Sequence, residues 1–473
     1  MPAICLYFQI HQPYRLRRYT VFDLGQNSLY EDDDRNCDTL LHAARQCYLP
    51  MNDILLSLMH KHGRRFRVAF SISGTALDQF EQYAPEVIDS FKALADTGCV
   101  EFLAETYSHS LAFLYSKEEF RRQVERHAAR TKELFGQTPR VFRHTELIYN
   151  NELAAEVEAM GFAAALAEGA DQMLGWRSPN FVYQPANCLK LKLLLKNYRL
   201  SDDIALRFNR RDWDQWPLTA DKFASWCHAI NGIGETVNLF MHYETFGLTH
   251  PADSGIFQFM EALPDALLAH KDFYFRTPSE VAAAYSPMGR IDVPQYISWA
   301  DAERDLNSWL GNDMQKDAIH ALYELEDKAC HIADTDLQRT WLRLQTADHF
   351  SYMCTKWFSR EADIGRYTNP YGSPYDAYIN YMNVLADFTL ALDTAPVAIA
   401  PTPRARRVSK TATAKAGGLE AAASSKTPAA KAVPKKTAPK KAVKKPEGAT
   451  ASPQSADSPA PKTRTRKSKT PSA

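Results

Sequence analysis

The chain of 473 residues has no closely paired cysteines, no long apolar run and no net charge. Its cysteines (Cys5, Cys37, Cys47, Cys99, Cys188, Cys227, Cys330 and Cys354) are scattered, and none forms the C-x-x-C spacing that suggests zinc. A chain this long does not need disulfide staples, so reduced and mostly buried thiols are expected. No stretch is long enough to span a membrane. The N-terminus enters an apolar strand directly, without a basic leader or a small-residue cleavage site. These absences predict a soluble, cytoplasmic protein with no membrane partner. The zero net charge is an average over two opposite regions. Residues 401–473 hold 18 Lys and Arg against 3 Asp and Glu, whereas the preceding 400 hold 38 against 53. A basic tail therefore follows an acidic body, and the two are read separately.

In the body, the segment from Ile4 to His11 alternates with period two. Ile4, Leu6, Phe8 and Ile10 share one face, and Tyr7, Gln9 and His11 the other. Similar short runs recur at 67–73, 100–105, 140–143, 162–167, 191–196, 237–242 and 273–275. Between several of them lie helix-like stretches, notably 86–96 and 117–135. Strands alternating with helices imply parallel pairing, and about six to eight such units suggest a closed or nearly closed barrel. Chemistry in such barrels sits on loops at the carboxyl ends of strands, where His11, Glu105, Glu146 and His242 all fall.

From about Asn312 to Leu392 the strand signal fades and apolar residues recur at helical spacing, with a turn at Pro370–Pro374 and a final helix through Tyr378–Leu392. This predicts a helical bundle packed against the barrel. The expected domains are thus a barrel over 1–295, a helical bundle over 296–395 and a tail over 396–473. The tail is rich in Ala, Pro, Lys, Ser and Thr and devoid of aromatics, a composition that predicts disorder. Its basic runs suit a polyanion such as nucleic acid through residues 401–473, or serve only as a solubilising tether.

Glycosidic bond cleavage normally takes two carboxyl groups, one acting as nucleophile or base and the other donating a proton to the leaving oxygen. Glu146 follows a β-rich run, and Arg143, if it turns inward, would hold it ionised. By pattern alone, the same carboxylate is more often a strand-end ion pair.

The segment Phe142-Arg143-His144-Thr145-Glu146-Leu147-Ile148-Tyr149 resembles the nucleophile region of α-amylases in glycoside hydrolase family 57. Further segments resemble that family in order: His11-Gln12-Pro13, Ser71–Thr75, Phe102–Ser110, Met241–Gly247, and Ser298-Trp299-Ala300-Asp301 through Asn312. The resemblance spans about residues 2–390 and implies an α/β fold, an incomplete (β/α)7 TIM-like barrel followed by an α-helical bundle. It implies a retaining mechanism on α-glucan, with no metal and no cofactor. Glu146 is then the nucleophile. His11, Glu105, Tyr107 and His109 line the cleft together with Glu244, and Trp299, Asp301 and Trp309 bind or orient sugar.

One position departs from the family. Where the general-acid aspartate is expected before Tyr-Glu-Thr-Phe-Gly, this chain has His242. Three readings stand open. His242 donates the proton itself; Glu244 takes over, if the strand extends and places both on one face; or the acid is lost and activity falls by about 10²–10⁴-fold. Hydrolysis and glucanotransfer share the covalent intermediate and are not separable here. A catalytically weakened glucan-binding or regulatory protein with a polyanion-binding tail is the alternative. A metal-dependent deacetylase-like site built from His11, His109 and His242 is a third reading.

Overall fold

In the computed structural model, which describes residues 2–26, 28–356 and 369–396, the strands follow in chain order. They are β1 (Ala3–Ile10), β2 (Val68–Ile72), β3 (Val100–Phe102), β4 (Val141–Arg143), β5 (Ala164–Glu168), β6 (Val182–Pro185), β7 (Lys192–Lys196), β8 (Thr236–His242), β9 (Tyr274–Phe275) and β10 (Arg290–Ile291). One sheet has the order β3-β2-β1-β8, with β9 also paired to β1; the other runs β10-β6-β7-β5-β4. The pairs are parallel except β6 with β7. The protein is therefore an α/β fold of mixed sheets and many helices.

The first sheet meets the second at both of its edges, β3 and β8. A parallel bridge joins Ala104 to Phe142, past the end of β3 and in β4, through Ala104 N–H to Val141 O (2.9 Å) and Arg143 N–H to Ala104 O (2.8 Å). On the other side Asn197 N–H reaches Asn238 O at 2.9 Å, and the Asn238 amide donates to Leu195 O at 3.0 Å. These contacts link β3 to β4 and β7 to β8.

The period-two pattern sets the inside of this arrangement. Cys5, Tyr7, Ala69, Leu103, Val141, Ala164, Leu166, Leu194 and Phe240 form one apolar cluster drawn from six strands and the residue after β3. Ile4, Leu6, Phe8 and Ile10 face the other way, into a cluster shared with surrounding helices. Following the inward face toward the carboxyl ends, side chains turn polar: Tyr7 gives way to Gln9 and His11, Ala69 to Ser71, Val141 to Arg143, Leu166 to Glu168, Leu194 to Lys196 and Phe240 to His242. Successive side chains in a strand point to opposite faces, so each of these lies two residues further along the same face. The core thus hands over directly to a polar site.

Helices were expected over 86–96 and 117–135, and the structure has Pro85–Asp96 and Lys117–Phe135. Proline suits a first helical position because its missing N–H has no partner there anyway. Ser116 caps the second helix by accepting from Glu119 N–H at 3.1 Å, and Gly136 ends it at φ 69°. The strands β6 and β10 carry no alternating run and were not expected; both are held by neighbours instead of by their own pattern.

Helices Asp313–Tyr323, Thr335–Leu344, Ala347–Ser351 and Pro374–Thr394 share an apolar cluster with Trp309, Trp341 and Phe388. The last helix pins the loop after β1: Tyr19 N–H donates to Asn380 at 2.6 Å and Tyr30 O–H to Asp387 at 2.6 Å. All eight cysteines are free. No helix among the described residues is long and apolar enough to cross a membrane. The basic tail, with its expected disorder and polyanion partner, lies outside the described residues.

Candidate active site

β4 ends at Arg143 and the chain turns through Thr145–Leu147, where Glu146 and Leu147 adopt φ of 56° and 51°. A residue with a Cβ pays about 1–3 kcal/mol for such a conformation, so surrounding contacts must hold it. Leu147 is fully buried in the central cluster. A reciprocal bridge between Tyr149 and Ile297, 2.9 Å in both directions, ties this turn to the loop that carries Trp299. Among the described residues, the other non-glycine positions with positive φ are His109, Asp301 and Arg304.

Glu146 is 2 % exposed. Its Oε1 meets His109 Nε2 at 2.9 Å, and its Oε2 accepts from Trp299 Nε1–H at 2.5 Å. Burial alone raises the pKa of this carboxyl. The His109 hydrogen bond and charge, the His242 charge and the Trp299 N–H outweigh that and bring it down to about 2. The second nitrogen of His109 lies 3.1 Å from Glu105 Oε2. Burial depresses the imidazole, but bonds to Glu105 and Glu146 lift it to about 9. Glu105, which also accepts from Ser71 O–H at 2.8 Å, is opposed by burial yet held at about 2 by His109 and Arg143. His109 is therefore an imidazolium between two buried carboxylates.

His11 stacks on His109 with ring centroids 4.1 Å apart. Its nitrogens meet Ser73 Oγ at 2.7 Å and Asp348 Oδ2 at 2.9 Å. Burial lowers the His11 pKa, the His109 charge lowers it further, and Asp348 opposes both. The nitrogens of His11 and His109 are thus committed to protein partners, which argues against sharing a metal ion with His242. The described acidic and thiol cluster of Glu119, Glu326 and Cys330 is occupied by the Arg122 guanidinium, 2.9, 2.9 and 2.8 Å from them.

A cleft of about 280 Å³ opens beside this network, lined by His11, Lys196, His242, Glu244, Trp299 and Asp348 among others. His242 closes β8 and lies edge-on to Trp299, centroids 5.6 Å apart. Lys196, at the end of β7, is 3.4 Å from Glu168 and 3.2 Å from Asp202, with its ammonium 6.0 Å from the Trp299 ring.

Two expectations need correction. Arg143 does turn inward, but its guanidinium reaches Gln9 and, at 3.8 Å, Glu105, and His109 is bonded to Glu146. Glu244 does not extend the face of His242. The strand stops at His242, residues 243–245 form a tight turn, and Glu244 accepts from Tyr48 O–H at 2.6 Å. Burial pushes the Glu244 carboxyl up to about 7 against the Tyr48 and Gln12 hydrogen bonds.

Three other expected residues, Tyr107, Asp301 and Trp309, are not among those that line the cleft. Tyr107 lies against Gly74 and donates to Asp78 at 2.6 Å. Trp309 is packed in the C-terminal apolar cluster, and Asp301 pairs with Lys356 at 2.8 Å. Sequence reasoning missed Asp348, Lys196 and Glu168. The last two carry a readable signal, a charge closing an apolar strand. Asp348 has none, because it reaches the site only through the Ser110–Thr346 bridge and the Ala347 N–H to His109 O bond of 3.0 Å.

The family model for glycosyl hydrolase family 57 matches residues 5–294. A protein of Methanocaldococcus jannaschii named "Putative alpha-amylase" is 40% identical over 397 residues, covering 80% of this chain and 83% of its own. The fold is similar to the 4-alpha-glucanotransferase of Thermococcus litoralis, with a TM-score of 0.52 at 16% identity. That match covers 74% of this chain but only 50% of the glucanotransferase. It is also similar to the alpha-amylase AmyC of Thermotoga maritima, with a TM-score of 0.56 at 12% identity over 83% of this chain and 94% of that one.

Proposed function

The chain belongs to glycosyl hydrolase family 57, and from that premise we propose that it cleaves α-glucan by a retaining mechanism with Glu146 as nucleophile. The observation that carries this reading is the Glu146 carboxylate. It is buried, held ionised by His109 and Trp299, and set on a strained turn at the carboxyl end of β4 beside an open cleft. The supporting scaffold is read as an incomplete (β/α)7 barrel over 1–295 followed by a helical bundle over 296–395. Its seven parallel strands β1, β2, β3, β4, β5, β7 and β8 converge on the site.

In the first step a Glu146 oxygen forms a bond to the anomeric carbon as the glycosidic C–O bond breaks. The leaving oxygen takes a proton from His242, which must be protonated to give it. In the second, water or a sugar hydroxyl attacks the same carbon, His242 takes the proton back, and Glu146 leaves as carboxylate. Hydrolysis and glucanotransfer differ only in that acceptor. His11 and Asp348 shape the cleft, and Glu105 keeps His109 charged. An imidazole in the place of the family's aspartate makes turnover slow relative to an aspartate-bearing homologue. Eight free thiols favour a reducing compartment and hence glucan stored inside the cell.

The test is a panel of maltooligosaccharides and glycogen with a reducing-end assay. Wild type turns over, Glu146→Gln abolishes turnover, and His242→Asp raises it by about 10²-fold or more. Absence of turnover in both wild type and His242→Asp refutes the proposal.

A further inference from the structure

A second cavity, of about 470 Å³, lies apart from the catalytic cleft. Its size falls in the range of small-molecule sites. The floor is aromatic: Phe208, Phe259 and Trp216, the indole being 43 % exposed and so only half covered by protein. Phe208 and Phe259 are buried and Trp216 alone is open, and a large ring left open is the informative exception on a surface. Phe208 and Phe259 meet edge-on at 5.3 Å, which fixes the floor as a rigid wall.

Polar groups of both kinds surround that floor. Asn209 and Gln258 supply amides that donate and accept, and the Arg211 guanidinium stands 5.9 Å from the Trp216 ring. The helix Ile256–Leu268 begins at this wall behind Gly255, with no side-chain cap, so its first N–H groups are further donors. Asp253 on the rim offsets Arg211 and disfavours a polyanion. A flat apolar face surrounded by mixed donors and acceptors with no net charge fits a neutral polyhydroxylated ring.

The cavity is also continuous in sequence with the cleft. Ala205 and Leu206 line the cleft, and Phe208 and Asn209 line the second cavity. Leu248 and Thr249 line the cleft, and Asp253 and Ser254 the second cavity. Between them His250 Nε2–H donates to Ile204 O at 2.9 Å, and its ring packs on Phe208 at 5.5 Å, locking the two segments together. Consecutive Cα atoms are at most about 3.8 Å apart, so the two sites begin within a few residue lengths of each other.

We propose that the Trp216 cavity is a second carbohydrate site that holds a glucosyl stretch of the same neutral α-glucan that enters the catalytic cleft. The inference rests on the α-glucan reading above and adds a place for a long, branched or granular substrate to be held while one segment reacts. Trp216 stacks on the sugar face; Asn209 and Gln258 take its hydroxyls.

The test uses the full-length protein in native gels containing glycogen, with migration giving apparent dissociation constants for wild type, Trp216→Ala, Arg211→Ala and Trp299→Ala. Trp216→Ala is expected to weaken glycogen binding about five- to tenfold at an unchanged melting temperature. Arg211→Ala gives a smaller loss, and Trp299→Ala leaves residual retardation because the second site is intact. Unchanged retardation in Trp216→Ala overturns the second site while leaving the catalytic proposal standing. So does complete loss of retardation in Trp299→Ala. Protection of Trp216 fluorescence by inorganic phosphate instead of maltoheptaose makes it an anion site and overturns the glucan assignment. A wild-type protein that neither binds nor turns over any α-glucan overturns both proposals together.

Discussion

Replacing His109 by Gln removes the cation that stands between two buried carboxylates, and its cost can be worked from the geometry. His109, Glu105 and Glu146 are 0–2 % exposed, so their interaction is not discounted by water. The imidazole moves from 6.5 to about 9, worth about 3 kcal/mol of folding free energy at 1.36 kcal/mol per unit. The falls of Glu105 and Glu146 from 4.5 to about 2 arise from the same contacts and are not added to it. For a group raised on folding, the contribution is complete below the unfolded value and is lost as pH rises through the folded one. The His109 term is therefore full below about 6.5 and gone above about 9. For the carboxylates, lowered on folding, it is present above 4.5 and lost as pH falls through about 2. Both terms are complete only between about pH 4.5 and 6.5. Urea unfolding at pH 6 is expected to show His109→Gln destabilised by about 3–5 kcal/mol, since two carboxylates are left buried without their cation. The stability lost by wild type between pH 7 and 9 should also disappear. A loss below about 1 kcal/mol, or a variant that keeps the wild-type slope, refutes the charged bridge.

Trp299→Phe keeps the ring but removes the N–H that Glu146 Oε2 accepts. A hydrogen bond to a charged group is worth about 1.5–3 kcal/mol, so the acid limb of the pH–rate profile should move up by about one unit or more. An unmoved limb would mean that the indole is not holding the carboxylate. Gly247→Ala places a Cβ 1.9 Å from Gln46 O at a backbone φ of 100°. Both are prohibitive, and a loss of at least about 3 kcal/mol is expected in a thermal melt; a variant that melts like wild type contradicts this geometry. Removing residues 402–473 should leave the melting temperature unchanged, because the site lies entirely in the unit Met1–Pro401. A fall of more than a few degrees refutes that boundary.

Much of the site was legible in the chain because strands alternate. The inward face that begins with Cys5 and Tyr7 must carry Gln9 and His11 to the same end of the sheet as Arg143 and His242, whatever packs outside it. The two residues whose partners were misjudged, Arg143 and Glu244, show the limit. A period gives the face on which a side chain stands, but not which of several neighbours within reach takes its charge. Arg143 chose Glu105 and Gln9, and Glu244 chose Tyr48 once the chain turned at residue 243.

By itself the sequence determined the α/β class and the family, because these depend on residue type, order and local periodicity, and it singled out Glu146 and His242 as the positions to test. Only the tertiary structure decided that His109 bonds Glu146, that Asp348 from a distant helix reaches His11, and that a second, aromatic-lined cavity exists. Those outcomes turn on contacts between segments up to 337 residues apart. Distances and burial set by the whole fold, and not by local pattern, fix which charges pair and which rings stay open.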